Sequence, residues 1–363
     1  MNLSTTIAGI RLKNPLMPAS GPLVGDYEKM MILEGFGLGC MVTKTISTIG
    51  AEVPRPCIYG EKDMIMNAEL WSEYSPEYWL EEALPKLKRE INIPLIISVG
   101  YTKEDMEKLI PLLEPYADAF EISTHYVGKD LSVIGETVKT IRNNTAKPIF
   151  MKVSPHIPDP VAFAKVVKDN GASGIVAINS LGPTMKIDIK NRKVLIGNDK
   201  GEVWTSGPAI KPVALAIVNK IKSAMPDFTV IGVGGIASAE DVLEFLLAGA
   251  DAVQMLSAAM LKGKDLYEKI IKDLPSVLEK YNFSSVEEVV NTELSKGNVK
   301  FVPDNPVINH QKCSRCGLCA KICPYFALRL EEKVLVDKEK CFGCSLCESK
   351  CPVHAISGVL SDD

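Results

Sequence analysis

Eight of the ten cysteines in this 363-residue chain fall in two short runs near its C-terminus. Residues 313–324 read CSRCGLCAKICP and residues 341–352 read CFGCSLCESKCP, so the spacing C-x2-C-x2-C-x3-C-P occurs twice. This spacing is typical of cubane iron–sulfur sites, in which the fourth cysteine of a run binds the neighbouring cluster. Structural zinc sites instead pair C-x2-C units across a longer loop. Two [4Fe–4S] clusters are therefore the favoured interpretation, with zinc or disulfides as the alternative.

Each predicted cluster combines the three closely spaced cysteines of one run with the last cysteine of the other run. The two predicted ligand sets are Cys313, Cys316, Cys319 and Cys351, and Cys341, Cys344, Cys347 and Cys323. Clusters of this type carry single electrons, and a purely structural role is the alternative. The remaining three hundred residues should therefore contain the site that uses or supplies these electrons.

The amino-acid composition indicates a globular protein and disfavours nucleic-acid and membrane partners. A hydrophobic content of 46% and a charged content of 24% are typical of soluble globular domains. The net charge of −4 disfavours a nucleic-acid partner, which requires a basic face. Neither a secretory signal nor an apolar run of about 20 residues appears, so no membrane partner is expected. Only Cys40 and Cys57 lie outside the cluster runs, which fits a reducing cytoplasm.

Apolar runs rich in Val, Ile and Leu alternate with amphipathic stretches between residues 8 and 262. Strands are predicted at Leu16–Ala19, Cys40–Lys44, Leu95–Val99, Ala119–Ser123, Ile149–Val153, Gly174–Ile178, Thr229–Val233 and Ala252–Leu256. Helices are predicted at Lys103–Glu114, Gly135–Asn143, Pro160–Asn170, Pro212–Ala224 and Ala239–Leu247. Eight such units in about 250 residues predict an α/β fold, a (β/α)8 TIM barrel. A doubly wound open sheet is the alternative.

The predicted domain division follows from these patterns. Residues 1–305 contain the barrel and, from about residue 265, a charged helical connector. Residues 306–363 form a C-terminal domain that carries the two cysteine runs.

Functional residues of such barrels lie at the C-terminal ends of the strands. Gly234-Gly235 follows the seventh predicted strand and Ser257 follows the eighth, where barrels commonly hold phosphate on backbone N–H groups. Lys44 and Lys152 also occupy strand ends. A lysine facing the barrel axis requires a partner. That partner is either an anionic ligand or flavin edge, or a buried carboxylate such as Glu121.

Motifs along nearly the whole chain resemble those of the dihydroorotate dehydrogenase superfamily. They are TKT around Lys44, MN at Met66-Asn67, FEIS, MKVSP around Lys152, INS at Asn179, TSGPAIKP from Thr205 and IGVGGIASAEDVLEFLLAGADAVQM from Ile231. With its two cysteine runs, the chain is most similar to the flavin-barrel-plus-ferredoxin part of dihydropyrimidine dehydrogenases and their bacterial catalytic subunits. The resemblance implies an oxidoreductase that acts on CH–CH groups and a bacterial-ferredoxin-like 2[4Fe–4S] C-terminal domain.

The same resemblance implies FMN in the mouth of the barrel. Residues at the isoalloxazine ring and its polar edge would be Ala19, Ser20, Lys44 and Lys152. Residues at the phosphate would be Ser206, Gly207, Gly234, Gly235 and Ser257. Residues facing the substrate would be Asn67, Asn179 and Ser180.

One loop departs from the family pattern. After the fourth strand the family reads N-x-S-C-P-N or N-x-S-C-P-H, and its cysteine or serine transfers a proton. This chain reads STHYVG at residues 123–128, so Ser123 replaces the asparagine and Tyr126 the cysteine. Reduction of a polarised C=C bond still needs a proton donor beside the flavin, and the candidates are Tyr126 and His125. The alternative is that this loop only packs.

A second aromatic stretch runs from Glu69 to Tyr74 and is followed by Trp79. It either lines the binding mouth for a flat ligand or packs on the barrel rim.

The predicted function is an FMN- and iron–sulfur-dependent oxidoreductase that reduces or forms an activated C=C bond in a small cyclic or conjugated substrate. Electrons would pass between a partner and FMN through the two clusters. No second dinucleotide-binding turn appears, so the expected partner is a ferredoxin or an NAD(P)H flavoprotein subunit. The alternatives are a dihydropyrimidine or dihydroorotate dehydrogenase with an unusual acid–base residue, and an electron-relay subunit without its own substrate. Because family members often dimerise, a homodimer is also expected.

Overall fold

The computed structural model describes residues 1–295, 297 and 301–360 of the chain. It divides the chain into two compact units, Met1–Leu294 and Ser295–Asp363. Residues 296 and 298–300 of the predicted connector and residues 361–363 of the predicted C-terminal domain lie outside the described residues. In the described part of the chain, no helix is long and apolar enough to cross a membrane.

The first unit alternates strands and helices along almost its whole length. Its strands are β1 (Thr5–Ile7), β2 (Ile10–Leu12), β3 (Leu16–Pro18), β4 (Met41–Val42), β5 (Ile58–Gly60), β6 (Ile65–Asn67), β7 (Leu95–Val99), β8 (Ala119–Ser123), β9 (Ile149–Val153), β10 (Gly174–Ala177), β11 (Leu181–Thr184), β12 (Ile187–Asp188), β13 (Lys193–Val194), β14 (Val203–Ser206), β15 (Thr229–Val233) and β16 (Ala252–Met255). Its helices are α1 (Tyr27–Glu34), α2 (Leu84–Glu90), α3 (Lys103–Leu113), α4 (Ser132–Asn144), α5 (Pro160–Asp169), α6 (Lys211–Ala224), α7 (Ala239–Leu247), α8 (Ser257–Lys262), α9 (Leu266–Lys280) and α10 (Val286–Val290). Short 3-10 turns lie at Pro22–Val24 and Pro208–Ile210, and a π-helical segment spans Tyr78–Ala83.

Eight parallel strands form the central sheet of this unit, in the order β3-β16-β15-β10-β9-β8-β7-β4. The sheet curls until its two edge strands meet. The backbone N–H of Gly39, just before β4, donates to the carbonyl of Leu16 in β3 at 2.9 Å. This near-closed arrangement confirms the predicted (β/α)8 barrel, and the open doubly wound alternative was wrong. Every predicted strand and helix is present, with ends that differ by at most three residues.

The barrel strands are apolar because helices cover the outside of the barrel while side chains fill its interior. All residues of β7, β8 and β9 are buried. The helices between them carry local start signals, as at α3. The Thr102 hydroxyl accepts a hydrogen bond from the Asp105 N–H at 3.2 Å, and the Asp105 carboxylate accepts one from the Thr102 N–H at 3.0 Å. This reciprocal cap fixes the start of α3 directly after the loop that leaves β7.

A second sheet was not predicted. Four antiparallel strands pair in the order β11-β14-β6-β5. In the pairing of β14 with β6, Trp204 lies opposite Asn67 and Ser206 opposite Ile65. The sheet therefore brings together two segments that are far apart in sequence. Strands of three or four residues leave too short a pattern for sequence periodicity to reveal.

The second unit contains two similar halves. Its elements are β17 (Val307–Ile308), α11 (Leu318–Ile322), β18 (Leu328–Leu330), β19 (Val334–Val336), α12 (Leu346–Ser349) and β20 (Ile356–Ser357). The N–H of Cys313 donates to the carbonyl of Asn309 at 3.0 Å, and the N–H of Cys341 donates to the carbonyl of Asp337 at the same distance. The repeated cysteine spacing thus corresponds to a repeated backbone conformation.

Candidate active site

An open cavity of about 990 Å³ lies at the C-terminal ends of the barrel strands. All the residues that the sequence placed at FMN or substrate line this cavity: Ala19, Ser20, Lys44, Asn67, Lys152, Asn179, Ser180, Ser206, Gly207, Gly234, Gly235 and Ser257. His125 lines it as well, whereas Tyr126 is not among the lining residues.

A buried polar cluster lies within the barrel mouth. The Lys152 ammonium is 3.0 Å from the Glu121 carboxylate, and these side chains are only 8% and 1% exposed. The Gln254 amide donates to the other oxygen of Glu121 at 2.5 Å. The Oε1 atom of Gln254 is buried and has no hydrogen-bond partner among the described residues. A buried acceptor without a donor is costly, so this atom suits a hydrogen-bond donor on a bound polar group.

Lys44 is held by two carboxylates. Its ammonium is 2.8 Å from Glu73 and 3.2 Å from Glu69, and its side chain is 3% exposed. Burial raises the pKa of the Glu69 carboxyl, although the Lys44 charge opposes that shift. Both strand-end lysines therefore have carboxylate partners: Glu121 pairs with Lys152, and Glu69 and Glu73 pair with Lys44. Both lysines also line the cavity. The contacts show the buried-carboxylate alternative, and a role of the two lysines at the edge of a flavin stays a prediction.

The turn after β15 has a backbone conformation that requires glycine. Gly234 and Gly235 have φ angles of 122° and 102°, which residues other than glycine rarely adopt. A Cβ atom on Gly235 would lie 2.6 Å from the Cβ atom of Lys211. Nearby, the Ser206 and Ser257 hydroxyls are 2.7 Å apart. Backbone N–H groups and hydroxyls that line the same cavity match the chemistry of a phosphate site.

The substrate-facing amides predicted from the sequence are fixed by their neighbours. The Asn179 amide nitrogen lies 3.4 Å from the Ser123 hydroxyl and 3.4 Å from a ring nitrogen of His125. Its carbonyl oxygen accepts from the backbone N–H of Ser180 at 2.9 Å. The Asn67 side-chain oxygen accepts from the N–H of Glu69 at 2.5 Å. The structure thus places Asn179 beside the loop that departs from the family pattern.

The two candidate proton donors differ in position. The His125 ring lines the cavity and is exposed to it, with 5.3 Å between its centre and that of the Tyr101 ring. Loss of hydration beside the neighbouring groups, and secondly the charge of Lys152, lower the pKa of His125 to about 4, so the imidazole is neutral near pH 7. The Tyr126 hydroxyl instead donates to the backbone carbonyl of Asp130. The role of Tyr126 stays a prediction, and this placement does not support it.

In the stretch after Asn67 the aromatic rings pack, and Glu69 and Leu70 rather than those rings line the cavity. Trp79 is fully buried and donates to the Ser72 hydroxyl at 2.9 Å, so it packs. Leu70 lines the cavity, and Trp71 packs edge-on against Tyr101 with 5.5 Å between ring centres.

Tyr101 and Gln254 line the cavity but were missed by sequence reasoning. Burial raises the pKa of Tyr101 to about 12, so its hydroxyl stays protonated. Tyr101 follows the end of β7 by two residues, and inspection of that strand end would have found it. Gln254 lies inside β16, where nothing in the sequence indicates which way its side chain faces.

Two smaller cavities lie in the second unit, and four cysteines surround each of them. The Cys313 cavity, of about 340 Å³, is lined by Cys313, Cys316, Cys319 and Cys351. The Cys341 cavity, of about 320 Å³, is lined by Cys341, Cys344, Cys347 and Cys323. These are the two sets of cysteines that the sequence assigned to clusters. Within the described ranges, no three metal-binding side chains converge closely enough to hold a single ion directly.

Backbone donors point at cysteine sulfur atoms in both halves of this unit. The N–H of Ala327 donates to the sulfur of Cys323 at 3.4 Å, and the N–H of Ala355 donates to that of Cys351 at 3.2 Å. Hydrogen bonds to sulfur stabilise thiolates and tune the potential of a bound cluster. The cysteine cavities therefore fit cubane clusters.

Comparisons with known proteins agree with both sites. Residues 2–278 match the family model of dihydroorotate dehydrogenase, and residues 307–355 match that of a 4Fe-4S dicluster domain. The chain is 33% identical over 318 residues to dihydroorotate dehydrogenase A (fumarate) of Lactobacillus helveticus, covering 83% of this chain and 99% of that protein. It is 32% identical over 302 residues to the dihydroorotate dehydrogenase B (NAD(+)) catalytic subunit of Geobacter sp., covering 80% and 97%. The corresponding subunit of Methanothermobacter thermautotrophicus is 33% identical over 300 residues, covering 79% and 97%.

Proposed function

This chain belongs to the dihydroorotate dehydrogenase family, and from that premise we propose that it is an FMN- and iron–sulfur-dependent oxidoreductase acting on a CH–CH bond. Its substrate is a small cyclic or conjugated molecule in which an activated C=C bond is formed or reduced. The observation that carries this proposal is the convergence of the predicted FMN and substrate residues on one cavity. Because relatives are named as dihydroorotate dehydrogenases, dihydroorotate and related dihydropyrimidines are the first alternative substrates that we consider for this chain.

The residues around the cavity fit FMN. Ser206, Ser257 and the Gly234-Gly235 turn offer hydroxyls and backbone N–H groups to a phosphate. Ala19 and Ser20 adjoin the ring position, and Lys44 and Lys152 offer positive charge to its polar edge. Bound FMN would supply hydride transfer to or from a substrate carbon.

His125 is the residue proposed to move the proton. Its neutral imidazole accepts a proton from a substrate C–H group during dehydrogenation and returns it during reduction. The Asn179 amide, 3.4 Å from the ring, orients both the imidazole and the substrate. An open cavity beside these polar groups favours a small-molecule substrate over a relay function without one.

The eight cysteines are proposed to hold two [4Fe–4S] clusters, one in each cysteine cavity. Clusters held by these cysteines would exchange single electrons with a redox partner, either a ferredoxin or an NAD(P)H flavoprotein subunit. Two of the relatives are named as catalytic subunits, which supports such a partner.

Anaerobic purification tests the proposal directly. We expect one FMN, released on denaturation, with about eight iron and about eight sulfide per chain. The holoenzyme should then oxidise at least one of dihydroorotate, dihydrouracil and dihydrothymine, or reduce the corresponding unsaturated compound, with an artificial one-electron carrier. A protein that holds iron but releases no flavin would overturn the proposal.

A further inference from the structure

The two halves of the second unit have the same backbone conformation but different side chains on their surfaces. Positions 28 residues apart adopt the same left-handed conformation, as at Gly317 and Ser345 (φ 71° and 66°) and at Phe326 and His354 (φ 53° and 47°). The repeat therefore extends beyond the cysteines themselves. Differences between equivalent side chains are then differences between the surroundings of the two cysteine cavities.

This unit contains four Phe and Tyr residues, of which Phe301 lies apart in sequence from the other three. The three, called the aromatic face below, are Tyr325, Phe326 and Phe342. Their equivalents in the other half are Val353, His354 and Ser314. The halves thus offer comparable cysteine cavities with different outer surfaces.

The aromatic face adjoins the Cys341 cavity. The rings of Tyr325 and Phe342 stack with 4.7 Å between centres and 15° between planes, and both line that cavity. Tyr325 is 40% exposed, Phe342 is 65% exposed and Phe326 is 82% exposed. Two partly exposed rings therefore line the cavity that holds one set of cysteines, and the exposed Phe326 ring belongs to the residue next to Tyr325 in sequence.

Folding of the unit does not explain the exposed rings. The left-handed φ angle of Phe326 belongs to the repeated backbone, since His354 shares it, but that backbone does not require an aromatic side chain. With most of the Phe326 ring exposed, its burial contributes little to stability. Exposed apolar patches occur preferentially at functional surfaces.

We propose that the aromatic face is the docking surface for an electron-carrier protein, and that electrons enter or leave this chain through the Cys341 cavity. The inference rests on the proposed function, in which both cysteine cavities hold clusters. One electron leaves the reduced cofactor of the partner, which is oxidised, and reduces the cluster beneath the aromatic face. The reverse transfer uses the same contact.

The chemistry of the site determines the kind of partner. Electron tunnelling weakens steeply with distance, so a carrier must bring its cofactor close to the thiolates. Two rings of the aromatic face, Tyr325 and Phe342, line the Cys341 cavity. Exposed aromatic rings are efficient anchors in protein interfaces because they bury a large area at little entropic cost. The partner is therefore a redox protein with its cofactor behind an apolar surface patch.

A matched pair of variants tests this inference. Phe326→Asn removes an aromatic ring, and His354→Asn changes the equivalent position of the other half. Asparagine tolerates the left-handed conformation that both sites require, and neither residue lines a cysteine cavity. Phe342→Ser, which installs the residue of the other half, is a second variant whose iron content is checked first.

The probe is a reduced bacterial-type 2[4Fe–4S] ferredoxin, with binding measured by calorimetry and reduction of the holoenzyme by stopped flow. We expect Phe326→Asn to lower both the affinity and the second-order rate constant about tenfold. His354→Asn should change neither. Reduction by dithionite, which needs no docking surface, should be the same in both variants and the parent protein.

Three results would overturn the inference. They are equal rates for Phe326→Asn and the parent protein, an equal loss in His354→Asn, and a change of oligomeric state in Phe326→Asn, which would make the aromatic face a contact between copies. A parent protein that no ferredoxin or NAD(P)H flavoprotein reduces would overturn the choice of partner. Absence of flavin or clusters from the parent protein would instead overturn the proposed function, so the two failures are distinguishable.

Discussion

Lys152 and Glu121 form an ion pair on adjacent parallel strands, with 3.0 Å between ammonium and carboxylate and almost no exposure to solvent. The pair fixes a positive charge beside the cavity without leaving it uncompensated. Taking two charges out of water is costly, and removal of either partner leaves the other buried alone.

Glu121→Leu should therefore destabilise the barrel strongly. We expect a loss of about 3 to 5 kcal/mol in the free energy of unfolding, because an unpaired ammonium remains buried. Urea unfolding of the barrel, followed by circular dichroism, measures this loss. Glu73→Gln is the control, since Glu73 is 38% exposed and Lys44 retains Glu69 as a partner. Similar losses for both variants would contradict this account.

Gly235→Ala should weaken FMN binding and lower stability together. The φ angle of 102° and the close approach to Lys211 leave no room for a methyl group, so the turn after β15 must move. The control is Gly37→Ala, because Gly37 also has a positive φ of 83° but has no atoms within 4 Å of a built Cβ. FMN dissociation and thermal unfolding are the measurements. FMN affinity that falls equally in both variants would show that backbone strain alone is responsible.

His125→Gln should reduce the rate of dehydrogenation by about 10²- to 10⁴-fold, the usual effect of losing a general base. Tyr126→Phe should leave the rate nearly unchanged, because its hydroxyl binds a backbone carbonyl outside the cavity lining. Single-turnover reduction of the flavin by substrate separates this step from later electron transfer. The opposite pattern in the two variants would identify Tyr126 as the acid–base residue.

The pH dependence follows from the lowered pKa of His125. Above its pKa of about 4 the imidazole is neutral and accepts a proton, so kcat/KM for dehydrogenation should fall only as the pH drops through about 4. The unfolded chain takes up this proton from about pH 6.5, so His125 makes the fold less stable as the pH falls from 6.5 towards 4. His125→Gln should accordingly lose less thermal stability than the parent protein between about pH 7 and pH 5. A larger loss in the variant would show that the pKa is raised.

Cysteine variants should fall into two groups according to the cluster that they lose, and each group should contain cysteines from both sequence runs. Cys351→Ser should remove the same cluster as Cys313→Ser, and Cys323→Ser the same cluster as Cys341→Ser, because these pairs line common cavities. Electron paramagnetic resonance of the remaining reduced cluster, with iron analysis, distinguishes the groups. Matching spectra for Cys313→Ser and Cys323→Ser would mean that each run holds its own cluster.

Much of the fold could be read from local pattern. Continuous apolar runs predicted the strands that became β7, β8 and β9, because a strand buried on both faces has no polar side. The antiparallel sheet that joins β6 to β14 could not be predicted, since its strands are short and their partners are distant in sequence. The conformation of the loop at His125 and Tyr126 could not be predicted from the sequence either, because these adjacent residues make unrelated contacts.

By itself, the sequence determined that this chain can group eight cysteines into two sets of four and arrange eight buried strands in a barrel, because spacing and hydrophobic period are properties of neighbouring residues. Only the tertiary structure decided that Lys44 meets Glu69 and Glu73, that Gln254 meets Glu121, and that Tyr126 turns from the cavity. The Lys44 and Gln254 contacts join residues from different strands and loops, so their geometry exists only once the barrel has closed, and the Tyr126 contact depends on the fold of its own loop.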